Sequence, residues 1–150
     1  MTPTLASVRR SWSDLRPLAA EDALGDLEAS FVAPLRHLAP RGLALIGLRR
    51  WYGKRFRDEG GTLTGINLVR RGEQLVETLP MQVRPAASLV DGLPVLAVTY
   101  PASSRRPWPW VRDELRVAED GTIVGMTFVD VPVLRRLGGT PFLLTRPASH

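Results

Sequence analysis

At 150 residues the chain has the length of one domain, and a chain of that size buries roughly 70% of the surface it would expose unfolded. It has no cysteine, which excludes a disulfide framework, a thiolate metal site and a cysteine nucleophile, and suits a reducing compartment. The net charge of +5 sets nineteen arginines and a single lysine, Lys54, against fifteen acidic residues; the Arg-Arg pairs at 9–10, 49–50, 70–71, 105–106 and 135–136 are dispersed, which argues against a nucleic-acid footprint.

The segment 1–24 reads as helical and the remainder, 25–150, as a β-domain onto which it packs. Leu5, Val8 and Trp12 recur at helical spacing, as do Leu15, Leu18 and Ala19. Pro17 fits the first turn of a second helix, capped by Ser13 or Asp14. Met1 to Trp12 contains no apolar run of signal-peptide length, and no stretch approaches the ~18 apolar residues of a membrane span. A cytoplasmic protein without a transmembrane segment is expected.

From Asp26 the period shifts toward two, with Leu27, Ala29, Phe31 and Ala33 on one face. Pro34 and Pro40 bracket a connection with some helical character. Further strands are predicted at about 51–57, 63–71, 73–82, 94–101, 108–117, 122–129 and 141–146. Glu59-Gly60-Gly61, Arg71-Gly72, Asp91-Gly92, Asp120-Gly121 and Gly138-Gly139 supply the turns. The pattern implies an antiparallel meander of about eight strands, the number at which a barrel closes around one small ligand.

Alternation assigns faces. Tyr52, Lys54 and Phe56 share the interior side, and Arg55 and Arg57 the solvent side. Leu96, Val98 and Tyr100 point inward. So does Asp113, on a face with Val111, Leu115 and Val117 and opposite Arg112, Glu114 and Arg116. A buried charge must be paired or neutralised. Lys54 and Asp113 are therefore expected to meet, either as a structural ion pair that sets register or as part of a site; a lysine snorkelling at the rim is the other reading. Asn67 presents its amide to the interior or closes a neighbouring turn. Trp108 and Trp110, between Pro107 and Pro109, start a strand at the rim and cover the N-terminal segment or gate the mouth.

Familiar reaction chemistry is missing. His37 and His150 build no triad and no zinc cluster, and a haem role for His37 is outweighed by an ordinary surface histidine. No dinucleotide or P-loop fingerprint occurs. No cofactor and no metal are expected.

The strings WYGKRF at 51–56, WVRDELRVAEDGTIVGM at 110–126 and PFLLTR at 141–146 resemble the uncharacterised bacterial GXWXG-type proteins, or a sister family. Gly25 to Ala29 stands where that family has its name-giving motif, with leucine for the tryptophan and alanine for the second glycine. The resemblance implies a lipocalin-like, calycin-type barrel that binds a small apolar molecule.

The leading functional reading is a binding protein for a small hydrophobic or amphipathic ligand, of which an anionic, fatty-acid-like molecule is one example. Tyr52, Phe56, Met81, Leu96, Val98, Tyr100 and Met126 would line its apolar part. Lys54, with Arg55 and Arg57 near the rim, would meet its head group; Asn67 and Asp113 complete the candidate site. One alternative is an isomerase or hydrolase with Lys54 as acid, base or amine nucleophile and Asp113 as its partner. Another is an interaction module, monomeric or homodimeric, that docks through Trp12.

Overall fold

The structure is a computed structural model and describes residues 4–31, 48, 50–129 and 139–147. His37, His150, Gly138 and the connection between Pro34 and Pro40 lie outside the described residues.

The N-terminal segment does not form the expected second helix with Pro17 in its first turn. Helix α1 spans Leu5–Ser11 and is closed at its start by a capping box between Thr4 and Ser7. Residues Trp12–Asp14 form a single tight turn, a two-residue strand β1 follows at Arg16–Pro17, and α2 is one turn at Ala20–Ala23. Pro17 has no N–H to give a helix ladder, and it sits in β1 opposite Arg116.

Eight longer strands follow: β2 Gly25–Phe31, β3 Trp51–Glu59, β4 Thr62–Arg71, β5 Gln74–Ala87, β6 Pro94–Thr99, β7 Val111–Val117, β8 Ile123–Val129 and β9 Thr140–Thr145. They hydrogen-bond antiparallel in the ring order β7-β6-β5-β4-β3-β2-β9-β8, and β8 pairs back to β7. This is a closed eight-stranded antiparallel barrel. The ninth strand, β1, lies beside the end of β7, where the pairing with β6 has stopped. Closure leaves the eight strands without a free edge.

Alternation fills two apolar compartments. The barrel interior holds Leu27, Phe56, Met81, Leu96, Val98, Leu115, Phe142 and Leu144, and Leu18 and Ala23 close it at one end. The outer wall of β8 forms a second cluster, in which Val124, Met126 and Phe128 meet Val8 and Trp12. Both faces of β8 are buried, and on its inner face Gly125 makes room for a ring. A Cβ on Gly125 would come 2.2 Å from the ring of Phe142.

Candidate functional site

β3 opens on an irregularity that decides which aromatic faces inward. Trp51 pairs with Val69 and Gly53 with Leu68, so one extra residue, Tyr52, lies between them. The bulge requires glycine: a Cβ on Gly53 would fall 1.8 Å from the Leu27 carbonyl oxygen. The slip reverses the expected face of Tyr52. It points outward beneath the Arg70 guanidinium, 5.1 Å from its ring centroid, and Trp51 takes the inward place.

Beyond the bulge the alternation resumes and carries Lys54 into the barrel, where it is 1% exposed. Its ammonium has three N–H donors and three acceptors. Asp113 Oδ2 lies at 2.9 Å, and Asn67 Oδ1 and the Tyr100 hydroxyl each lie at 3.1 Å. The rings of Trp51, Tyr100 and Phe142 surround the charge at 5.5, 5.7 and 6.0 Å.

The partners are as fully engaged. Asn67 Oδ1 also accepts from Trp51 Nε1 at 3.1 Å. Its Nδ2 donates to the Tyr100 hydroxyl at 3.1 Å and to the Leu79 carbonyl at 3.2 Å. Leu79 is the extra residue of a second bulge, in β5, with φ +51. Asn67 thus faces the interior and does not close a neighbouring turn; the carbonyl it binds belongs to the bulge of the paired strand. Asp113 Oδ1 accepts from Thr127 Oγ1 at 2.8 Å. The Tyr100 oxygen accepts from Lys54 and Asn67, which occupies both lone pairs. Among the described residues none accepts the phenol's own hydrogen.

Burial pulls the Lys54 pKa down. The facing Asp113 carboxylate and the Tyr100 phenol pull it up by more, and the net direction is upward. Burial holds the Tyr100 phenol above its ordinary value, and the Asp113 charge adds to this while Lys54 opposes it. A lysine acting as base or amine nucleophile needs the opposite shift, so this geometry disfavours those two of the roles considered for Lys54; the upward shift does not bear against the acid role.

Of the remaining candidates, Phe56, Met81, Leu96 and Val98 are buried in the barrel interior. Met126 is not among them: it lies on the outer wall, in the cluster under α1. Arg55 and Arg57 do not meet the lysine's end of the barrel. Arg55 is tied to Asp26 at 2.6 Å, and both arginines hold Glu77. Trp108 and Trp110 do not begin β7; they form a tight turn before it. Trp108 is buried against Tyr100, with ring centroids 5.0 Å apart, and Trp110 is exposed beneath Arg106.

A second polar network went unread in the sequence. Glu114 and Arg116, on the outer face of β7, are 0% and 1% exposed. Arg116 forms a two-pronged bridge to Asp91 at 2.8 Å, donates to the Trp12 carbonyl and lies over the Trp12 ring at 4.6 Å. Glu114 accepts from Ser88 at 2.6 Å and from the Leu89 N–H at 2.8 Å. Asp91 therefore does more than make a turn; it anchors the N-terminal segment to the wall.

The described residues contain no cluster of metal-ligating side chains, and no described helix is long and apolar enough to cross a membrane. No family model and no curated protein matches the chain. A solved structure titled as the crystal structure of a protein from Thermomonospora curvata superposes with a TM-score of 0.72 at 20% identity, over 98% of this chain and 90% of that one, and shows the shared fold.

Proposed function

We propose that the protein binds a small amphipathic molecule at the barrel end where Trp51, Tyr100 and Trp108 lie, in the manner of lipocalin-like carriers. The observation that carries this reading is the Tyr100 hydroxyl. Its oxygen receives two N–H groups and its own proton has no described acceptor. A buried donor left unsatisfied costs about 1–3 kcal/mol, and a ligand carbonyl or hydroxyl oxygen placed there recovers that energy. The aromatic side chains around it suit an apolar body. A carboxylate seated directly on Lys54 fits less well, because Asp113 already neutralises that ammonium and all three of its donors are engaged.

Native mass spectrometry of protein purified from the producing cell tests the reading directly. It is complemented by titration with decanol, decanoate and anilinonaphthalenesulfonate, followed by tryptophan fluorescence. A co-purified small molecule or saturable probe binding is expected, weakened up to about tenfold in Tyr100→Phe by loss of one hydrogen bond. An apo spectrum together with no saturable binding of any probe sinks the proposal.

A further inference from the structure

Two groups stand out among the described arginines. Arg55, Arg57, Arg112 and Arg116 each face a carboxylate within 3.1 Å. Arg50, Arg70, Arg71 and Arg105 instead line a single cleft of about 380 Å³, together with Glu77 and Thr78. Among the described residues none of these four forms an ion pair. Glu77 is a carboxylate already bound by two arginines from outside the cleft, Arg55 at 2.9 Å and Arg57 at 2.5 Å. Four arginines thus line one space, and among the described residues a single carboxylate, Glu77, lines it with them.

The cleft is also held in shape. Arg50 has φ +58, a left-handed conformation that non-glycine residues avoid and that clusters at functional positions. It is fixed there by the Arg70 N–H, which donates to the Arg50 carbonyl at 2.9 Å. The Arg70 guanidinium rests on the outward-turned ring of Tyr52. The bulge in β3 that sends Trp51 inward therefore also builds, through Tyr52, the platform that positions Arg70.

We propose that this cleft is an oxyanion site for a phosphomonoester. The planar fork of arginine matches phosphate oxygens two at a time, and a cleft lined by four arginines attracts a dianion more strongly than a monocarboxylate. The Thr78 hydroxyl adds a neutral donor. The site does not use the Tyr100 hydroxyl, which does not line the cleft.

The test is calorimetric titration of the full chain with glycerol phosphate, with sodium chloride at matched ionic strength as the reference. A parallel arm measures co-sedimentation with phosphatidylcholine vesicles with and without phosphatidic acid. The first arm reports a free phosphate ester and the second a lipid head group. Binding in either arm is expected, reduced about tenfold or more by Arg70→Gln/Arg105→Gln, since two charge-assisted contacts are lost. A control with the same loss of charge, Arg10→Gln/Arg84→Gln, alters exposed arginines away from the cleft and should retain binding. Absence of binding in both arms overturns the proposal. So does an equal loss in both double variants, which would mean a diffuse field rather than a site. Unchanged binding in Tyr100→Phe is expected, so failure at the cleft and failure inside the barrel remain distinguishable.

Discussion

Lys54 and Asp113 meet at 2.9 Å from strands on opposite walls of the barrel: β3 and β7 stand four strands apart in either direction around the ring. The ion pair is a strut across the interior and not a rung of one ladder. Asn67 and Tyr100 join it from β4 and from the end of β6, and Thr127 from β8. A strut of this kind ties together elements that share no backbone hydrogen bonds.

The strut should behave as a coupled unit. Lys54→Met or Asp113→Leu alone leaves a buried charge without its partner and is expected to cost about 3–5 kcal/mol. The double variant removes both charges and should cost clearly less than the two singles added together. A double-mutant cycle by urea denaturation measures this, and additive losses would contradict it.

Lys54 is the chain's only lysine and is 1% exposed, which makes its accessibility a clean observable. With its pKa shifted upward it is protonated as well as hidden, and so doubly inert toward acylating reagents. Acetylation under native conditions should leave the peptide containing Lys54 unmodified, while acetylation in urea should label it fully. Equal labelling in both conditions, read by mass spectrometry, would place this amine in solvent.

The bulge in β3 depends on Gly53. Its Cβ would meet backbone rather than a flexible side chain, so no rotamer change can relieve the contact. Gly53→Ala is expected to cost at least about 3 kcal/mol, at the upper end for a single substitution, with loss of the near-ultraviolet signal from Trp51. Retention of wild-type stability would mean that β3 can pair without the bulge.

Acid sensitivity should trace in part to Asp91. Hydrogen bonds from Arg116 hold its carboxyl well below the usual range; burial opposes this, and Ser13 and the Leu93 N–H reinforce it. A carboxyl whose folded pKa is depressed stabilises the fold above its unfolded pKa of about 3.9, and that contribution is lost as pH falls toward the folded value. Asp91→Asn should be less stable at neutral pH, yet its urea midpoint should fall less steeply below about pH 4. Parallel pH curves for the two proteins would exclude the assignment.

What was readable along the chain follows from strand parity. Lys54 and Asp113 could be placed inside because the opposite faces of their strands are charged. Tyr52 could not, since a bulge changes parity by one residue; the glycine inside a strand signal was the available hint. Met126 was misplaced because β8 is apolar on both faces, and alternation has nothing to distinguish there. The prolines flanking Trp108 warned against a strand, but not that its ring would reach Tyr100.

The sequence by itself determined a barrel-forming meander, the placement of one lysine and one aspartate in its interior, and an N-terminal segment to cover it, because these depend on local periodicity and turn chemistry. Only the tertiary structure decided that β3 and β7 stand opposite one another, so that the two charges span the barrel. It alone brought Trp12 and Asp91 onto Arg116, which sequence reading placed only on the face opposite Asp113. It alone gathered along one cleft four arginines that form no ion pair among the described residues. Such relationships are set by barrel closure and strand register, which join residues far apart in the chain and leave no trace in its local pattern.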